Sequence, residues 1–105
     1  MNLYDPTEYY QLANELVDYL EQWPQLSAAQ RERAVRIEVA RHEFEQAGAC
    51  FWPDTLPDGR RDMRGFDLSC RYRLLDRNPA TAGHAAQARA ELAELVQRRR
   101  AGLIA

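Results

Sequence analysis

The side chains of this sequence that could carry chemistry are two histidines, two cysteines, sixteen carboxylates and fourteen arginines. His42, His84, Cys50 and Cys70 are the residue types that hold zinc. No Cys-x-x-Cys or His-x-x-x-His pair supplies local chelation, so the fold would have to gather four separated ligands. No metal and no cofactor is expected. Cys–His nucleophilic catalysis meets the same objection. Cys70 stands in an apolar alternation with Phe66, Leu68, Tyr72 and Leu74, an inward position where a thiol is buried and quiet. Paired carboxylates such as Glu15 with Asp18, or Glu43 with Glu45, read as solubilising groups without the burial that acid catalysis needs. Asp58-Gly59-Arg60 is a turn, and no glycine-rich phosphate loop is present. The chain is not expected to be an enzyme.

Arginine gives the stronger signal. Lysine is absent, so every basic side chain is a planar guanidinium suited to carboxylates, phosphates and aromatic faces. Together with abundant alanine this fits a GC-rich coding sequence, as in a bacterium or its phage. The formal charge of −2 is unevenly distributed. Residues 1–26 hold five acids and no base, whereas residues 60–77 hold six arginines against three aspartates. Arg60, Arg61 and Arg64 fall in a loop, Arg71 and Arg73 project beyond it, and Trp52 offers an aromatic edge beside Pro53. Arginine among aromatics is the composition of a protein interface and also of a nucleic-acid contact. With Glu15 and Asp18 from the acidic end, these residues form the expected partner-binding set. The bland alternative is a solvated surface with Asp62, Asp67 and Asp76 interleaved.

The elements that must position these groups follow from periodicity. Asp5-Pro6-Thr7-Glu8 reads as a helix start, with Asp5 as N-cap, Pro6 as first helical residue, and Tyr4 and Tyr9 stapled around them. Tyr9, Leu12, Ala13, Leu16, Val17 and Leu20 then share one side, and Glu8, Glu15, Asp18 and Glu21 share the other. Pro24 ends this helix. Ser27-Ala28-Ala29-Gln30 is a capping box opening a second helix, which runs to about Ala47 and stops at Gly48. Its apolar residues (Ala34, Ile37, Ala40 and Phe44, with Val35 and Val39 elsewhere) suggest contact on two faces and a central place. Leu56-Pro57-Asp58-Gly59 is turn chemistry. The nine-residue alternation 66–74 predicts a half-buried strand, pairing antiparallel with 49–52. Asn78-Pro79 opens a last helix with Ala85, Ala88, Leu92, Leu95 and Val96 as its apolar stripe and Arg98, Arg99 and Arg100 near its end.

The expected fold is therefore a single α+β domain over residues 1–105, predominantly helical, in the order α-α-β-β-α, with a small antiparallel hairpin packed on or beside three helices. The chain opens Met1-Asn2-Leu3-Tyr4-Asp5 without a basic and then apolar segment, and no apolar run is long enough to span a membrane. A cytoplasmic location with free thiols is expected. The expected function is a small non-enzymatic protein-binding module that occupies a surface on a larger partner, such as a nucleic-acid-handling defence complex it would inhibit. A homodimer is a further expected association. The alternative is nucleic-acid binding through the arginine-rich segment 60–77, against which the net negative charge and the lack of a recognition helix both argue.

Overall fold

The computed structural model describes residues 6–47 and 54–102. Helix α1 (Thr7–Glu21) buries Ala13, Leu16, Val17 and Leu20, the stripe its sequence predicts. Pro6 stands at the N-cap position and not within the first turn, while Tyr4 and Asp5 lie outside the described residues. After α1 the chain makes one 3-10 turn, Trp23–Gln25, in which Pro24 cannot donate a helical hydrogen bond. Helix α2 (Ala28–Gln46) opens on the capping box. The Ser27 hydroxyl accepts from the Gln30 amide at 3.2 Å, and the Gln30 side chain accepts from the Ser27 amide at 2.8 Å.

The hairpin is where the structure departs from expectation. Among the described residues there is no strand, only one isolated antiparallel bridge between Thr55 and Arg61, closed through Gly59 at φ +91°. Residues 66–74 lie inside helix α3 (Arg64–Arg77), and the expected pairing segment 49–52 lies outside the described residues. The physical reason is that two helical seams interleave to mimic alternation. Leu68, Tyr72 and Leu75 recur at i, i+4 and i+7, while Phe66, Cys70 and Leu74 recur at i, i+4 and i+8. At about 100° per residue the two sets sit on opposite sides of one helix. Leu68 and Leu75 are buried and Tyr72 is half-buried, whereas Phe66 and Leu74 are exposed. Cys70 is half-buried on the outer side, not an inward core residue. The fold is all-α.

Asn78 serves two helices at once. Its amide donates to the Leu74 carbonyl to finish α3, and its side chain accepts from the Ala80 amide to start α4 (Pro79–Arg100). Pro79 keeps Asn78 extended at ψ 122°, which separates the two helices by a single residue. The buried Thr81 hydroxyl donates to the Leu75 carbonyl at 2.9 Å and fastens the corner. Helix α4 buries Ala85, Ala88, Leu92 and Val96, small enough in part to admit close helix approach. Helices α1 and α4 each pack on all three other helices, whereas α2 packs on α1 and α4. The centre therefore belongs to α1 and α4, not to α2 as its two apolar sides suggested. Trp23 locks the corner before α2: its buried ring lies under the Arg31 guanidinium at 5.1 Å, and its indole N–H donates to Glu91 of α4 at 2.5 Å. Among the described residues no helix is long and apolar enough to cross a membrane.

Candidate interaction surface

Most of the expected partner-binding residues are engaged within the chain. Arg71 reaches from α3 to α1, donating to the Asn14 side-chain oxygen at 2.9 Å, to Asp18 at 2.6 Å and to Glu21 at 2.6 Å. Burial opposes its charge, and the bonds to Asp18 and Glu21 outweigh that effect and raise its pKa. Glu15 takes Arg33 of α2 at 2.8 Å, a bond that holds its carboxyl below the ordinary value. The acidic back of α1 is thus the seat of arginines from α2 and α3. Arg64 folds back on Asp62, bonds Thr7 at 3.2 Å and lies over the Tyr10 ring at 5.1 Å. Gly65 permits this approach, since a Cβ there would meet the Tyr10 hydroxyl at 3.0 Å. Arg60 closes on Asp58 within its own turn at 2.6 Å. Arg61 and Arg73 are exposed, and Trp52 lies outside the described residues, as does Cys50.

One cleft with an apolar floor has a volume of about 450 Å³. Leu16, Leu20, Leu92 and Val96 line its base, and Arg41, His42, Arg89 and Arg100 stand at its edge. Those polar groups bond one another, while Arg41 Nε is buried without a hydrogen-bond partner among the described residues. Arg41 donates to Glu38 at 3.2 Å and to the Tyr72 hydroxyl at 3.1 Å, with the Tyr9 and Tyr72 rings 5.7 and 5.8 Å from its guanidinium. Burial opposes the Arg41 charge, but Tyr72, Tyr9 and Glu38 together push its pKa up; burial likewise pushes the Tyr72 hydroxyl up. Arg100 can only donate, so His42 Nδ1 accepts from it at 2.9 Å and the ring proton sits on Nε2, 3.1 Å from Glu38. Arg89 is held by Asp76 and the Tyr72 carbonyl. This is a structural network of cation, ring and carboxylate, with no nucleophile beside a base.

The two histidines lie on different contacts: His84 bonds the Glu21 carbonyl at the end of α1 at 3.0 Å, while His42 sits between α2 and the end of α4. Among the described residues no group of three or more His, Cys, Asp or Glu is placed to hold a metal.

What the sequence did not single out is the outer side of α3. Met63, Phe66 and Leu74 are the exposed large hydrophobics of the described residues, at 41, 58 and 57% of full exposure. All three lie on one stripe with half-buried Cys70 between them. At about 100° per residue Asp67, Arg73 and Arg77 fall on the same stripe or its margins. Those three side chains are exposed and form no hydrogen bond or ion pair among the described residues. The signal for this surface was present in the i, i+4, i+8 spacing of Phe66, Cys70 and Leu74. No protein-family model, no curated protein and no solved structure matches this chain.

Proposed function

We propose that this chain is a non-enzymatic protein-binding module of the bacterial or phage cytoplasm, and that its docking face is the outer side of α3. The observation that supports the reading is a helix with apolar seams on opposite sides, only one of which meets the core. Exposed Phe66 and Leu74 give that face an apolar strip, and Asp67, Arg73 and Arg77 supply charges that no ion pair neutralises among the described residues. Isolated surface hydrophobics are ordinary, but an aligned strip edged by unpaired charge is the anatomy of an interface core and its rim. Its fitting partner is a protein surface with a matching apolar strip and carboxylates placed for the arginines.

The nucleic-acid reading has less support. Arg60, Arg64 and Arg71 are committed to Asp58, Asp62 and Asp18 with Glu21, leaving Arg61 and Arg73 of the five expected contacts. The deciding experiment is chemical cross-linking in the bacterial cytoplasm of the tagged chain and of its Phe66→Glu variant. The reading expects a cross-linked protein species with the parent chain that is absent with the variant, while both keep the same helical circular dichroism. Identical cross-linking patterns would dismiss the α3 face as a docking surface.

A further inference from the structure

We infer that the cleft between α2 and α4 is a binding site for a small amphipathic monocarboxylate, its apolar body over Leu92 and Val96 and its carboxylate on Arg100. The inference is independent of the docking face, since of α3 only Tyr72, on the inner seam, lines the cleft. Helix α1 supplies the floor through Leu16 and Leu20, and α2 and α4 stand as walls. The volume of about 450 Å³ suits one small molecule, because ligand pockets run about 300–1,000 Å³ and are mostly apolar with a few placed polar groups.

The charges at the mouth are not balanced. Arg41, Arg89 and Arg100 face a single carboxylate in the lining, that of Glu38. Glu38 holds Arg41, and Asp76, from outside the lining, holds Arg89. One cation is left. Arg100 donates through one nitrogen to His42 Nδ1 at 2.9 Å, an acceptor that brings no negative charge to the contact, and it forms no ion pair among the described residues. Glu43 shares the adjoining hollow with Arg100 but makes no ion pair with it. The neighbouring Arg99 shows what a structural tie from α4 to α2 looks like, for it donates to the Glu32 carboxylate. A guanidinium carries five N–H donors, so most of the Arg100 fork stays open to a second acceptor. A planar carboxylate takes two parallel bonds from such a fork, and a monoanion matches the one uncompensated charge. Arg100 is exposed, so that pair alone is weak; burial of a hydrocarbon body on the apolar floor must supply the rest of the affinity.

Isothermal titration calorimetry of the whole chain with sodium decanoate, kept below its micelle-forming concentration, reads the site. Decyltrimethylammonium carries the same chain with the opposite charge, and acetate carries the anion without the chain. The expected result is one saturable decanoate site with a dissociation constant of about 0.1–1 mM, both controls binding at least about tenfold more weakly. Arg100→Gln should weaken decanoate about tenfold, whereas Arg98→Gln, the same charge change outside the lining, should leave it unaltered. Ala93→Phe, at an exposed helical position in the cleft wall, should abolish binding while the helical circular dichroism stays that of the parent. No saturation up to about 10 mM decanoate overturns the inference. So does a cationic or acetate control that binds as tightly as decanoate, an equal loss from Arg98→Gln and Arg100→Gln, or full binding by Ala93→Phe.

Discussion

Replacing Arg71 with alanine separates a structural role from a docking one. The guanidinium bonds Asn14, Asp18 and Glu21 on α1, and so ties α3 to the acidic face of that helix. Its side chain is 33% exposed, that of Asp18 60% and that of Glu21 40%, so water screens both ion pairs. Each is therefore valued in the exposed range of about 0.2–1 kcal/mol, not the buried range. The bond to Asn14 adds about 1 kcal/mol. Removing Arg71 also leaves Asp18 and Glu21 three residues apart on one helix with no cation between them, a small further cost. The expected loss is about 2 kcal/mol, or a Tm lowered by about 10 °C in a domain of this size. Urea denaturation followed by circular dichroism measures it. In about 1 M salt, where the screening length is about 3 Å, the difference between parent and variant should shrink toward the Asn14 contribution. The reasoning fails if Arg71→Ala is as stable as the parent and loses a cross-linked partner protein instead, for Arg71 would then be a docking residue.

Four other outcomes follow from the same geometry. Leu68→Ala should cost about 2–5 kcal/mol and Phe66→Ala under about 0.5 kcal/mol at concentrations where the chain is monomeric, measured by urea denaturation; similar costs at both positions would favour a strand in which both point inward. Trp23→Ala should cost about 3–5 kcal/mol in the same assay, because it empties a buried site and removes the indole donor to Glu91. Stability should fall as pH rises past 10.0, since burial holds the Tyr72 hydroxyl above that value when folded and the unfolded chain releases its proton first; Tyr72→Phe should flatten the fall. At the acid end Glu15 and Glu32, held below 4.5 by Arg33 and Arg99, contribute stability above that pH that is lost as pH drops through their folded values; Arg33→Ala and Arg99→Ala should each reduce the slope between neutral and acid denaturation curves.

Three of the four helices could be read from the chain because each carries a start signal and apolar residues at helical spacing. Ser27 with Gln30 and Asn78 with Pro79 make the hydrogen bonds or backbone restrictions their types suggest, and Ala13, Leu16, Val17 and Leu20 are buried together. Pro6 stands one position earlier than expected, at the N-cap, since helix ends are set by which amide first finds an acceptor and not by proline alone. Charge could be counted but not paired. Nothing in the order of residues says that Arg71 and Asp18, fifty-three positions apart, share a hydrogen bond, because that depends on where α3 lands on α1. Glu15, Asp18, Arg60, Arg64 and Arg71, expected in a partner-binding set, take counter-charges inside the same molecule, and those pairings were out of reach of the sequence.

Helix α3 is the instructive failure, and its cause bears on function. Alternation of apolar and polar residues is a reliable sign of a half-buried strand only if the apolar residues all face one way. A helix that is apolar on two opposite sides produces the same string. One local feature separates the cases: residues 64–77 contain no valine, isoleucine or threonine, whereas arginine and leucine, both strong helix formers, fill seven of the fourteen positions and suit a helix more than a pleated ribbon. A helix on the surface of a lone domain needs only one apolar seam, and a second seam costs solubility without stabilising the monomer. That α3 carries one, running through Phe66, Cys70 and Leu74, is explained if the outer seam is covered by another protein, as the docking reading proposes. The ambiguity that disguised the helix as a strand is then the trace of two packing partners, the core on one side and another protein on the other.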